Sequence, residues 1–300
     1  MREFKKQVIV FGYEQLNGFL YGLLSSASFG LIPLFTIPAM REGMNFESIL
    51  FYRFLFACLA LGCILLLDKQ SFHIKRKEIP SLMLLAFLYL MSAVFLFWGY
   101  KFMASGVATT IHFMYPLAVA LAMMGFFGEK RSFAILFAVL VSLSGAGLLS
   151  SGKIDFEGGN TTIGLIAAGL SVFFYGGYIV GVRKSRAVQI PSTALTCYVM
   201  GLGALFFIIG GYLTGGIRLA NDTYTWLNIL GLALPATAIS NITLVKAIKY
   251  IGPTLTSIFG ALEPLTAVVI GCLIFNESFT PASAIGMALI ITAVTVVVVH

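Results

Sequence analysis

From residue 17 onward the chain is a succession of long apolar runs separated by short polar clusters. A helix needs about 20 apolar residues to cross the hydrocarbon core of a bilayer. Runs of that size fall at roughly 17–38, 48–67, 79–100, 105–127, 132–151, 162–182, 192–214, 225–245, 253–275 and 281–299. Turn and charge signals mark the breaks: Arg41–Gly43, His73–Lys77, Glu129–Arg131, Glu157–Asn160 and Asn221–Thr223. Pro80, Pro191, Pro253 and Pro281 sit at starts, where a first turn tolerates a missing N–H. Ser132 and Thr280 are the matching N-caps. Pro33, Pro116, Pro235 and Pro264 fall inside runs and predict kinks. In lipid the carbonyls they free must turn toward protein or a water-filled cavity.

The runs repeat. Lys101–Glu129 and Lys249–Glu277 align without a gap, Pro116 on Pro264 and Tyr115 on Glu263. Gly18, Ser25, Gly30 and Tyr52 match Gly164, Ser171, Gly176 and Tyr198 at a constant offset of 146. Each copy holds five spans, and five is odd, so the second copy enters the membrane from the opposite side. The expected fold is all-α: a polytopic membrane protein of ten transmembrane helices in two inverted five-helix repeats. Its segments are 1–16 (cytoplasmic N-terminal segment), 17–151 (first repeat), 152–161 (external linker) and 162–299 (second repeat). Inverted repeats of this kind give alternating access to a central site.

Composition agrees. Hydrophobic residues make up 59%, charged residues 10%, and mean hydropathy is +0.97. A soluble domain carries about 25% charged residues, so lipid must be the main solvent. The net charge of +7 does not point to nucleic acid, because the charges lie in short loops and no basic stripe with interleaved aromatics exists. Alternate loops carry fourteen Lys and Arg against four: Arg41, Lys101, Lys153 and Arg218 form the smaller set. That bias places both termini in the cytoplasm. The apolar stretch Val8–Tyr13 ends at Glu14 and Gln15, too short for a cleavable leader, so the first span reads as an uncleaved anchor. Cys58, Cys63, Cys197 and Cys272 lie in apolar runs without a CxxC, which is a packing role. No HExxH, GxSxG or P-loop is present. The expectation is no enzyme, no metal, no cofactor and no ATP.

Two stretches, YPLAVALAMMGFFGEKRS at 115–132 and EPLTAVVIGCLIFNESFTP at 263–281, resemble the EamA family of the drug/metabolite transporter superfamily. FYRFLFA at 51–57 is similar to the start of that family's second span. The resemblance covers nearly all of 17–299. It implies a ten-helix bacterial inner-membrane carrier, commonly an exporter of amino acids or other small metabolites, monomeric or homodimeric. It also implies a cavity between the halves lined by spans 1, 3, 4, 6, 8 and 9. The second half departs at Val199, where the first has Arg53.

Glu263 is the leading candidate. It lies about ten residues, or roughly 15 Å, into its span, and an acid at that depth is costly and faces the interior. It can hold a proton, pair with a cationic substrate group, or order the kink at Pro264. The alternative is a neutral acid bonded to a neighbouring helix. His112 and Tyr115, with Thr109 one turn before, form a polar patch in the equivalent span; the histidine can carry a proton or be a satisfied donor. Thr237, Ser240 and Asn241 form a polar face in span 8, with Ser92 as the repeat partner of Ser240. Ser171, Tyr175 and Tyr178 do the same in span 6, and Tyr89 and Trp98 stand in span 3. Singly each suits a helix–helix bond or an interface anchor; together they outline a cavity with aromatic walls. Arg53, roughly 7 Å inside its span, either snorkels to the interface or serves gating or binding. Glu129 and Glu277 precede helix N-termini, where negative charge is favourable, and Ala118/Ala122 and Ala267/Gly271 suit close helix packing.

The leading expectation is a proton-coupled exporter of a small amphipathic metabolite, working by alternating access, with small-molecule substrate and membrane lipid as partners. An exchanger of phosphorylated metabolites or nucleotide sugars is the alternative, though anion sites need Lys or Arg. An intramembrane enzyme needs Glu263 and His112 within hydrogen-bond reach.

Overall fold

The computed structural model describes residues 2–100, 102, 108, 111–130, 132–150, 161–213, 216–274 and 280–299. Lys101, Thr109, Arg131, Lys153 and Glu277, most of the linker 152–161, and the side chains of Ala267 and Gly271 lie outside them. The described elements are α1 (Arg2–Phe29), α2 (Ile32–Arg41), α3 (Phe46–Leu67), α4 (Ile79–Tyr100), α5 (Tyr115–Phe126), α6 (Phe133–Ser150), α7 (Thr161–Lys184), α8 (Ser192–Leu213), α9 (Thr223–Ala233), α10 (Ser240–Phe259), α11 (Leu262–Ile274) and α12 (Pro281–Val299). Among the described residues, six stretches are long and apolar enough to cross a membrane: 13–41, 46–67, 79–99, 162–184, 192–212 and 223–259. Shorter apolar helices cover 115–126, 133–145 and 284–293. Phe126, Phe133 and Leu67 are almost wholly uncovered, a surface suited to lipid rather than water.

The interior prolines interrupt their spans, where kinks alone were expected. Pro33 opens α2 after a turn at Gly30 and Leu31. Pro116 opens α5 after a turn at Phe113 and Met114, and Pro264 lies in the first turn of α11 after a turn at Gly260 and Ala261. Each proline thus sits where its missing N–H is not needed. Pro235 starts a π-helical turn, Leu234–Ile239, between α9 and α10; an extra residue per turn is one way to absorb a lost bond. Within α10, Gly252 has φ +84° just before Pro253, so two helices meet there. Other starts are capped: Asn45 accepts from the Ser48 N–H at 3.3 Å, and Ser132 from that of Ile135 at 3.4 Å.

Packing follows the repeat. The most extensive contacts join α1 to α10, α4 to α7, α3 to α8, and α6 to α12. Exchanging the two copies turns the first pair into the second and each of the last two into itself. Single residues obey the same exchange. Ser92 donates to the Ser171 carbonyl at 3.2 Å, and Ser25 donates to the Ser240 carbonyl at 2.9 Å; these are equivalent serine pairs with the donor swapped. A Cβ on Gly30 would run into Thr266 and lie 2.8 Å from the Glu263 carbonyl, and one on Gly176 would meet Ala118 at 3.6 Å and the Tyr115 carbonyl at 3.8 Å. Small residues at these crossings let backbones approach.

Because the Gly30 crossing is the tighter, Gly30→Leu should unfold the purified protein several degrees below wild type in thermal unfolding, an overpacking cost of about 1–3 kcal/mol. Gly169→Ala, where a Cβ meets nothing within 4 Å, should leave the midpoint unchanged.

Candidate functional site

Polar side chains from α3, α4, α5 and the turn before it, α7, α10 and α11 converge inside the bundle. Tyr175 is the hub. Its ring centroid lies 4.7 Å from Tyr115, 5.2 Å from His112, and 6.3 Å from both Tyr89 and Tyr178. Tyr89 and Tyr178 are 5.0 Å apart. Tyr175 and Tyr178 share a face because they are three residues apart on one helix. The Tyr178 hydroxyl is buried and has no hydrogen-bond partner among the described residues.

Glu263 projects from the first turn of α11, where the helix N-terminus favours a negative charge. The break at Gly260 and Ala261 is what gives the midspan a helix N-terminus at all. Glu263 is within electrostatic reach of Tyr89, Tyr115 and Tyr175. It keeps part of its surface uncovered, so it faces open space as well as packed side chains. Tyr115, its repeat equivalent, is buried and fills the space a side chain at Gly260 would need.

His112 is held by a chain of bonds. Ser171 donates its one hydroxyl proton to the Ala168 carbonyl at 2.6 Å. Its oxygen lies 2.9 Å from His112 Nδ1; with the Ser171 proton on the Ala168 carbonyl, Nδ1 is the donor of that bond. The ring faces Tyr115 at 5.8 Å. His112 and Glu263 thus share the tyrosine wall, and among the described residues His112 is bonded to Ser171.

Arg53 does not snorkel. It is 7% exposed, and its Nε donates to Thr237 Oγ1 at 2.6 Å. Thr237 is available because it lies in the π-helical turn, where its hydroxyl reaches back to the Leu232 carbonyl at 2.7 Å, five residues earlier. Asn241, one turn on, donates Nδ2–H to the Thr237 carbonyl at 2.9 Å. Its Oδ1 is buried with no hydrogen-bond partner among the described residues. Arg53 and Glu263 lie within electrostatic reach of one another, yet among the described residues no ion pair within 4.0 Å joins them. The site therefore contains a buried cation, a carboxyl group, an unpartnered amide oxygen and an unpartnered phenol.

Other sequence candidates fall elsewhere. Ser92 and Ser240 spend their protons on carbonyls, Ser240 on that of Ala236 at 2.8 Å. Trp98 stands apart, 46% exposed, against Phe95 and Phe102. Pro116 and Pro264 begin the helices that carry Tyr115 and Glu263. Glu129 does more than precede a helix: its Oε2 accepts from Thr254 Oγ1 at 2.6 Å, just past Gly252. Near that end Arg183 donates to the Lys249 carbonyl at 2.5 Å, and Lys249 donates to that of Ile190. A cavity of about 410 Å³ lies instead among Glu42, Met44, Arg218 and Thr225, beside the loops before α3 and α9. The role of Gly260 was not expected; only its register opposite Tyr115 in space reveals it.

The model of the EamA-like transporter family matches residues 16–151 and again residues 162–299. The chain belongs to the EamA-like transporter family. It is thus an integral membrane protein of a transporter family, built of two family units in tandem. One solved structure, described as "Crystal structure of protein", has a TM-score of 0.79 over 96% of this chain and 98% of that one, at 19% identity; that similarity shows the fold. No curated protein matches the chain.

In this EamA-like protein Thr237→Val should lower thermal stability by about 1–3 kcal/mol, the cost of leaving a buried donor unmet. Thermal unfolding of the variant beside Thr243→Val, whose hydroxyl bonds only carbonyls of its own helix, checks this. Equal midpoints would mean that Arg53 does not rely on Thr237.

Proposed function

We propose that the protein is a secondary carrier for a small amphipathic zwitterion such as an amino acid. The observation that carries this reading is the Arg53–Glu263 arrangement: a buried guanidinium and a partly covered carboxyl group in one tyrosine-walled site, within electrostatic reach and, among the described residues, not paired. A substrate carboxylate suits the two guanidinium nitrogens that Thr237 leaves free. A substrate ammonium suits Glu263, with Asn241 Oδ1 as a further acceptor. The tyrosine rings take the apolar body.

Coupling follows from one carboxyl group serving two cations. Glu263 holds either a proton or the substrate ammonium, and alternation between them yields exchange of proton for substrate. With the termini cytoplasmic, as the Lys and Arg bias expects, an inward proton gradient drives export.

Alternating access is supported by the way the two copies differ. Ten spans in inverted halves is the organisation in which equivalent elements exchange conformations. The α1–α2 span breaks at Gly30, whereas α7 runs unbroken through the equivalent Gly176. The π-helical turn at Leu234–Ile239 likewise has no counterpart in α4. One arm is bent and its image is straight, an asymmetry that swaps when the carrier opens to the other side. The bonds of Glu129, Arg183 and Lys249 close the end to which the charge bias assigns the cytoplasm. An exchanger of phosphorylated metabolites fits less well, since among the described residues Arg53 is the only Lys or Arg in this site.

In proteoliposomes with an imposed pH gradient, Glu263→Gln should abolish gradient-driven accumulation of amino acid while Arg53→Gln weakens its binding at least tenfold, about 1.4 kcal/mol. Gradient-driven transport by Glu263→Gln at the wild-type rate would remove Glu263 from coupling. Labelling of both termini tests the orientation; ends on opposite faces would exclude inverted five-span halves.

A further inference from the structure

The face of α7 turned away from the tyrosines is not covered. Phe173, Gly177, Gly181 and Lys184 recur at spacings of four, four and three, so they form one stripe along the helix. Ser171, Tyr175 and Tyr178 lie on its other side. With the flanks of α4 and α5, the stripe forms a groove of about 410 Å³. Its floor is glycine, and its walls are Leu84, Leu88, Ala118 and Ala122. Phe173 and Leu84 are exposed at its edges.

The groove has one charged end. Lys184 closes it at the last turn of α7, its Nζ 5.4 Å from the centroid of the Phe127 ring at the end of α5. Lys184 is exposed and makes no ion pair among the described residues. Its neighbour Arg183 is already bonded to the Lys249 carbonyl. No acid lines the groove.

We propose that this groove binds an anionic phospholipid, with one acyl chain along the glycine floor and the phosphate at Lys184. Both ends of the ligand are matched. An apolar channel on the lipid-facing side of a transmembrane helix is filled by whatever the bilayer supplies. The cation stands where α7 and α5 both end, at the depth of a headgroup, and an ammonium there selects a net negative headgroup over a zwitterionic one. The phosphate takes the charge, while Phe127 already flanks the ammonium. The bound chain would brace α7 from behind, so occupancy bears on the helix that carries Tyr175 and Tyr178.

The test is thermal unfolding of the delipidated full-length protein in mild detergent, titrated with phosphatidylglycerol or phosphatidylcholine of identical chains. Phosphatidylglycerol should raise the midpoint at lower concentration than phosphatidylcholine, with half-saturation roughly fivefold apart. Lys184→Gln should erase that difference and Lys184→Arg should keep it. Gly177→Leu, where a Cβ makes only ordinary contact with Leu88, should remove the response to both lipids by filling the groove. Equal half-saturation for the two lipids in wild type, or an unchanged preference in Lys184→Gln, overturns the proposal even if Gly177→Leu fails to fold. So does an equal shift from chain-free glycerol phosphate, which would indicate a simple anion site. A lipid-free dimer in native mass spectrometry that Lys184→Gln leaves intact would assign the groove to a second copy instead.

Discussion

Two helix crossings made through serine and glycine hold the rest of the molecule in register. Lipid gives helices no hydrophobic reason to associate, so close backbone approach and interhelical hydrogen bonds must do that work. Ser92 on the Ser171 carbonyl fastens α4 to α7, and Ser25 on the Ser240 carbonyl fastens α1 to α10. Gly176 and Gly30 then let α5 and α11 lie against those pairs, one on Tyr115 and Ala118, the other on Glu263 and Thr266. Every residue of the central site stands on an element positioned by one of these contacts or beside it. The repeat is therefore a repeated solution to helix association as well as a repeated pattern of apolar length.

Equivalence in packing coexists with difference in chemistry. Tyr115 and Glu263 occupy the same position in the two copies, and each follows a break that begins a new helix. The break supplies a helix N-terminus in midspan, which suits a carboxylate at 263 and is unused by the phenol at 115. Arg53 and Val199 differ in the same manner. Both unmatched charges come to one site although they arise from opposite copies: Arg53 from the first and Glu263 from the second. A symmetric scaffold thus carries a polar axis, which a ligand with two unlike ends can read.

Much of this was legible in the chain itself. The 146- and 148-residue offsets named the serines and glycines that meet, because equivalence survives as identity where only a small residue fits. Glu263, His112, Tyr115, Tyr175 and Tyr178 were legible as polar groups in apolar runs, and they do gather. Arg53 was legible only in part. Its depth along α3 left the interface and the interior both open, and only the π-helical turn at Pro235 brings Thr237, 184 residues away in sequence, within reach. The bond between Glu129 and Thr254 was hidden for the same reason. Trp98 misled because an aromatic in an apolar span looks the same whether it faces ligand or lipid. Pattern reveals which residues are unusual for their solvent. It does not reveal which unusual residues are neighbours.

The unpaired charges can be understood as a cost borne in advance. A buried guanidinium and a partly covered carboxylate each lose hydration, and an ion pair between them would recover part of it. Here Arg53 is instead turned toward Thr237, while Glu263 stays at the mouth of its own helix. The fold meets the desolvation cost through the helix crossings that flank the site, and leaves the two groups without an ion pair to each other among the described residues. A ligand that supplies the missing partners need not strip water from either, so less of its own binding energy is lost to desolvation. The two residues stand on separate elements, α3 and α11, and among the described residues no ion pair within 4.0 Å joins them. On the proposed reading, the separation of Arg53 from Glu263 is what leaves both groups available to a substrate.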